Sequence, residues 1–111
     1  MTSIEDQIDK ALEVLKKGGV IAFPTDTVYG LGADCRNIRA VEQVFEIKQR
    51  PHHLALPLLL SDYSQIKLVI EDMPPLAWSL MLHFWPGGLT IILPKTKFVP
   101  DIVSGGSNTI V

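Results

Sequence analysis

The run Gly19-Val20-Ile21-Ala22-Phe23-Pro24 sets the tightest limit on how this chain folds. Its four apolar residues are enough for a short buried strand. Pro24 has no N–H to give a ladder and ends that strand. Thr25-Asp26-Thr27 follows at once, with Tyr29 two residues on, so hydroxyls, a carboxylate and a phenol sit directly at a strand end. In an open α/β sheet, strand ends are where ligands bind. Gly30 and Gly32 allow backbone shapes closed to other residues, or a close approach to a ligand. Taken alone, the stretch reads equally well as a polar turn between two strands.

The rest of the chain alternates helix and strand patterns. Ser3 is placed to cap a first helix, with Asp6 in the capping-box position. Ile4, Ile8, Ala11, Leu12 and Leu15 recur at helical spacing, Lys16 and Lys17 suit the helix end, and Gly18 suits a left-handed cap. Asn37 is placed to cap a second helix with Ile38, Val41, Val44 and Phe45 on its buried side, stopped by Pro51. The proline pushes Arg50 toward extended backbone. Residues two apart share a side there, so Lys48 and Arg50 are expected to face one ligand. The same pair also reads as a solvated helix end, favoured by the helix dipole.

Leu54 to Leu60 predicts a second strand, and Ser61 or Asp62 a cap for a third helix through Ile70. Leu76, Ala77, Leu80, Met81 and Phe84 predict a fourth helix, ending at the turn signal Trp85-Pro86-Gly87-Gly88. Leu89 to Leu93 predicts a third strand, Pro100 to Val103 a helical turn, and Asn108 to Val111 a fourth strand. This alternation predicts an α/β domain.

The 111 residues allow one small domain. Ten basic against twelve acidic residues argue against a strongly basic nucleic-acid module, though a local basic patch is compatible. The mean hydropathy is positive, yet no apolar run approaches the roughly 20 residues that span a bilayer. The first residues lack the basic and apolar regions of a signal peptide. The single Cys35 has no partner for an internal disulfide. A cytoplasmic protein without a membrane role is the expectation.

Three motifs carry a resemblance. Pro24-Thr25-Asp26-Thr27-Val28-Tyr29-Gly30-Leu31, Lys48-Gln49-Arg50-Pro51 and Trp85-Pro86-Gly87-Gly88-Leu89-Thr90 stand in this order. They resemble the signature, the K-x-R motif and the W-P-G-P-L-T motif of the YrdC/TsaC family, the threonylcarbamoyl-AMP synthases. The resemblance runs from about Lys16 to Val111. It implies a twisted open mixed α/β sheet with flanking helices, similar to dihydroxybutanone-phosphate synthase-like folds, and a wide, positively lined groove. Family members run beyond this point, with an S-x-N motif and further strands, so residues 1–111 are expected to be the N-terminal portion of one such domain.

The implied reaction makes L-threonylcarbamoyl-AMP and pyrophosphate from L-threonine, bicarbonate or CO2, and ATP, with magnesium accompanying the ATP. The product passes to partner proteins that modify an adenosine in certain tRNAs. Thr27 falls where the family binds L-threonine, Tyr29 shapes the same pocket, and Thr25 positions the loop. Arg50 falls at an ATP-contacting position, where its planar fork suits phosphate oxygens. Lys48 supplies a second charge, and these two cations are the catalytic candidates. Thr109 aligns with another ATP contact, in a family pattern similar to T-V-A-V-R whose arginine would lie past Val111. Two departures stand out: Leu54 replaces a polar residue, often Asn, and Gly88 replaces the second proline of W-P-G-P.

Rival readings remain. A non-catalytic RNA-binding or ribosome-associated module on the same fold is the alternative function. A related carbamoyl-handling domain of hydrogenase maturation is a more distant one. His52-His53 is a weak metal signal, because neighbours in an extended loop point apart and no carboxylate or Cys stands at ligand spacing. No protein-bound metal is expected. His83, Trp78 and Trp85 read as packing residues, and Cys35 as a plain thiol.

Overall fold

The computed structural model describes residues 3–25 and 27–111, which fall into two compact units divided after Pro51. Met1, Thr2 and Asp26 lie outside the described residues.

The first unit contains α1 (Ile4–Lys16), β1 (Ile21–Phe23), β2 (Gly30–Gly32) and α2 (Ile38–Lys48). The predicted cap of α1 forms: the Ser3 hydroxyl accepts the Asp6 N–H at 3.1 Å. Gly18 takes the left-handed conformation (φ 83°) that ends the helix. β1 stops before Pro24 and pairs antiparallel with β2, with Phe23 opposite Gly30 and Ile21 opposite Gly32. The strand is half-buried rather than buried, with Ala22 exposed. Among the described residues, β2 is its only ladder partner.

The Asn37 side chain caps α2 by accepting the Ala40 N–H at 3.0 Å. Ala40, Val41, Val44 and Phe45 form the core of this unit. Ile38, expected on that face, is exposed; it stands in the first turn, where Ala40 takes the inward place.

The second unit contains a 3₁₀ turn (Tyr63–Gln65), α3 (Ile66–Val69), α4 (Pro75–Phe84), β3 (Leu93–Pro94) and β4 (Thr109–Ile110). Its core is built from Ile66, Val69, Ala77, Met81, Val99, Val103 and Ile110. β3 and β4 pair antiparallel, Leu93 with Ile110 and Pro94 with Thr109.

Three expectations change here. Leu54–Leu60 is an extended segment rather than a full strand. Its backbone donates from Leu56 N–H to the Val103 carbonyl (2.8 Å) and from Leu58 N–H to the Val111 carbonyl (2.9 Å). Pro57 between them has no N–H to add. The third strand shrinks to Leu93–Pro94 because the Trp85 indole N–H takes the Leu89 carbonyl at 2.8 Å and holds that end in a turn. Neither Ser61 nor Asp62 caps a third helix by its side chain. The Asp62 carboxylate instead accepts the Ser64 hydroxyl (2.8 Å), and the Gln65 side chain accepts the Ser61 N–H (2.8 Å).

Lys95 ties this unit together. Its N–H donates to the Asn108 carbonyl. Its side chain is only 9% exposed, and the ammonium donates to the Val99 carbonyl (3.0 Å) and to Asp101 (2.8 Å), whose side chain is 84% exposed. The carbonyl bond satisfies the buried cation, and the partner carboxylate keeps its own contact with water. No helix among the described residues is long and apolar enough to cross a membrane.

Candidate functional site

The loop after β1 is held by its own hydroxyl. Thr25 Oγ1 donates to the Val28 carbonyl and accepts the Thr27 N–H at 3.3 Å, and it stands 3.5 Å from Thr27 Oγ1. This is a side-chain turn of the Ser/Thr type. It commits the Thr25 hydroxyl to shaping the loop and leaves the Thr27 hydroxyl exposed at its tip. Tyr29 is 75% exposed. Asp26 lies outside the described residues.

The glycines behind this loop answer to packing. A Cβ on Gly30 or Gly32 would stand 3.0 or 2.9 Å from the Phe23 ring. The close approach that the sequence suggests is therefore made by an aromatic side chain of the neighbouring strand.

The Lys48-Gln49-Arg50 motif closes α2. Lys48 is the last helical residue and Gln49 takes the left-handed conformation (φ 52°). The Gln49 N–H donates to the Glu46 carbonyl (3.1 Å) and the Arg50 N–H to the Phe45 carbonyl (2.9 Å). These paired bonds are the Schellman closure, which ordinarily uses glycine at the left-handed place. A side chain there costs about 1 kcal/mol. The extended backbone expected across this motif is thus replaced by a reversal at its middle residue. The sharing of one side by Lys48 and Arg50 no longer follows from backbone alternation. Sequence reasoning missed Gln49, because the local signal for this conformation is Gly or Asn.

Beside β2, Arg36 grips Asp34 with two nitrogens of its fork, Nε to Oδ1 (3.0 Å) and Nη2 to Oδ2 (2.8 Å). That hydrogen bonding holds the Asp34 carboxyl below its ordinary value, against a smaller opposing effect of burial. Between them, Cys35 has its thiol pushed up by burial.

In the second unit, the Trp85–Thr90 motif is fastened at several points. The Trp85–Pro86 peptide bond is cis. The Tyr63 hydroxyl donates to the Trp85 carbonyl at 2.9 Å, and the Trp85 indole donates to the Leu89 carbonyl. A Cβ on Gly87 would stand 2.5 Å from the Phe84 carbonyl oxygen, so the motif needs glycine there. A Cβ on Gly88 would meet nothing within 4 Å, so that departure from the family pattern relieves no crowding. The motif lines a cavity of about 500 Å³ shared with Leu58–Tyr63, Met81 and Ile110. In the same unit, Thr109 Oγ1 lies 3.0 Å from the Ser107 hydroxyl, which also accepts the Thr109 N–H.

The structure therefore brings Thr25 and Thr27 together and places Lys48 and Arg50 at one helix end. Thr109 belongs to the other unit. None of the five first-unit candidates lines that unit's open depression around Lys16, Asp34 and Arg39. Sequence reasoning also missed the anchoring role of Tyr63, whose partner stands 22 residues away. Among the described residues, no three His, Cys, Asp or Glu side chains gather where they could hold a metal ion.

Comparison with known proteins gives a consistent result. The Sua5/YciO/YrdC family model, described as telomere recombination, matches residues 13–111. The threonylcarbamoyl-AMP synthase of Pyrococcus abyssi is 39% identical over 106 residues, covering 96% of this chain and 31% of the relative. Among solved structures, P. abyssi Sua5 complexed with L-threonine superposes with a TM-score of 0.93 at 37% identity, covering 99% of this chain and 32% of that one. Escherichia coli YciO gives a TM-score of 0.82 at 33% identity, covering 98% and 53%. The fold is the YrdC-like one, and the chain spans about a third to a half of the length of these relatives.

Proposed function

The chain belongs to the Sua5/YciO/YrdC family, and from that premise we propose that its residues serve the synthesis of threonylcarbamoyl-AMP. The observation that carries this reading is the likeness to P. abyssi Sua5 complexed with L-threonine, at 37% identity across 99% of the chain. In the proposed reaction, the L-threonine amine attacks the carbon of CO2 and gives up a proton, or that of bicarbonate with loss of water, to form a carbamate. A carbamate oxygen then attacks the α-phosphorus of ATP. The new O–P bond forms as the bridge between α- and β-phosphates breaks, and pyrophosphate leaves. Magnesium enters with the ATP as part of the substrate.

The described geometry supports a division of labour. Thr25 spends its hydroxyl on the loop, and this presents Thr27 to L-threonine, with Tyr29 as a wall of the same pocket. A hydroxyl there can both donate and accept, as a zwitterion requires. Lys48 and Arg50 supply fixed positive charge for the phosphates, where positioning and electrostatics carry most of such a transfer. Thr109 is assigned to the nucleotide by its place in the motif. Partner proteins that carry the product to tRNA belong to the same proposal, as does a cytoplasmic setting.

The test joins this chain to the remaining residues of the P. abyssi relative. It measures pyrophosphate release from ATP in bicarbonate, with and without L-threonine. Release is expected to require threonine. It is expected to fall about a hundredfold or more in Arg50→Ala, with only partial recovery in Arg50→Lys, which keeps charge but loses the fork. Threonine-independent release, or an Arg50→Ala variant as active as its parent, overturns the assignment. Binding of structured RNA without release would instead favour the non-catalytic module.

A further inference from the structure

Among the described residues, Gln49 is the one non-glycine in the left-handed region (φ 52°). Elsewhere the described chain gives such places to glycine, at Gly18, Gly105 and Gly106. Gln49 stands between the two cations of the Lys48-Gln49-Arg50 motif. A costly backbone conformation persists only where its surroundings hold it, and such places cluster at ligand sites.

We propose that Gln49 is a positioning residue: its left-handed backbone sets where Arg50 stands relative to Lys48, and so fixes the pair of charges offered to the ATP phosphates. The role rests on the proposed reading of Lys48 and Arg50 as the phosphate cations.

If α2 continued through Arg50, its N–H would donate to the Glu46 carbonyl, and its side chain would leave the helix about 200° around from that of Lys48. The left-handed residue changes both. The Gln49 N–H takes the Glu46 carbonyl (3.1 Å), and the Arg50 N–H reaches back to the Phe45 carbonyl (2.9 Å). Phe45 is 1% exposed, so the main chain of Arg50 is tied directly to a core residue. Lys48 and Gln49 are exposed, while Arg50 is half-buried. Pro51 removes the helical alternative, because the residue before a proline is disfavoured in the helical region. The closure is made by backbone N–H groups, so the conformation of residue 49 is what it requires, not an amide side chain. Electrostatic catalysis acts through charges held in place, and a displaced guanidinium loses rate while keeping its charge.

The experiment uses this chain joined to the remaining residues of the P. abyssi relative. Pyrophosphate release gives kcat and the KM values for ATP and L-threonine, with circular dichroism and melting temperature alongside. Gln49→Val, β-branched and disfavoured at positive φ, is expected to lower kcat/KM for ATP about tenfold or more and to leave the KM for L-threonine within about twofold. Gln49→Gly and Gln49→Asn accept the left-handed conformation and are expected to stay within about threefold of the parent. In an Arg50→Ala background, Gln49→Val is expected to add less than about twofold, because it acts through Arg50. Gln49→Thr, also β-branched, takes the place of Gln49→Val if that variant fails to fold.

A Gln49→Val variant that melts earlier but keeps the parent's kinetics makes residue 49 a helix cap alone and overturns the proposal. So does a Gln49→Gly variant that loses activity while Gln49→Asn keeps it, which would assign the role to the amide. Losses that multiply in the double variant overturn it as well. Arg50→Ala as active as its parent overturns the phosphate reading and this role together. Arg50→Ala impaired with Gln49→Val unimpaired overturns the positioning role alone.

Discussion

Two of the family motifs follow opposite designs. Among its described residues, the Thr25–Tyr29 loop is fastened to itself by the Thr25 hydroxyl, and Thr27, Val28 and Tyr29 are exposed. The Trp85–Thr90 turn is closed on itself by the Trp85 indole and is also fastened to its surroundings through the Tyr63 hydroxyl, and it lines a cavity. A loop held by short-range bonds can present its outer side chains without depending on them for stability. A turn held by a long-range phenol and a large aromatic ring cannot change without disturbing the core beneath it. Motif status therefore carries two meanings in one chain: side chains kept for what they reach, and side chains kept for what they hold.

The largest separation is expected between aromatic truncations in the two loops. Trp85→Ala removes a half-buried ring and its hydrogen bond and is expected to cost about 2–3 kcal/mol. Tyr29→Ala, at an exposed site, is expected to stay within about 0.5 kcal/mol. Urea unfolding of both variants measures the difference, and equal losses would erase the distinction between the loops. A narrower comparison removes single hydroxyl bonds. Tyr63→Phe is expected to cost about 1 kcal/mol, because the Trp85 carbonyl loses its donor. Thr25→Val, in solvent, is expected to cost about half of that. A larger loss from Thr25→Val would show that the first loop also supports the fold.

The smallest effect is electrostatic and lies behind the first loop. Asp34 has its carboxyl lowered from the ordinary value of 3.8 by Arg36. A carboxyl lowered on folding contributes stability that is complete above the unfolded value and is lost as pH falls through the folded one. Melting temperatures of the parent and Asp34→Asn are therefore expected to differ slightly near neutrality and to converge in acid below 3.8. A gap that widens in acid would contradict the carboxylate–guanidinium pairing, and the exposure of Arg36 keeps the effect small at any pH.

Much of the chain was legible because its signals are local. Ser3, Asn37 and Gly18 set helix ends within three or four residues of themselves. The stripe Val41, Val44 and Phe45 announced a buried face through helical spacing alone. Pro24 ended β1 because a residue without an N–H cannot extend a ladder. The motif residues were likewise readable, together with the family to which they point.

Tertiary structure decided whatever depended on a distant partner. Whether Leu54–Leu60 becomes a strand depends on which backbone lies beside it; Val103 and Val111 accept the Leu56 and Leu58 N–H groups, and Pro57 between them has none to give. The apolar face of α1 was correctly periodic, yet periodicity does not say what covers a face, and Ile4, Ile8 and Leu12 stand exposed. Gln49 carries no local preference for the left-handed conformation. Its partners, the Phe45 and Glu46 carbonyls, are near in the chain, so here a local closure ahead of Pro51 overrides a residue type that does not signal it. Sequence fixes what each residue is able to do within a turn or two of itself, since propensity, capping and spacing act at that range. Which of those capacities is used is settled by packing and by hydrogen bonds between residues far apart in the chain, as between Tyr63 and Trp85.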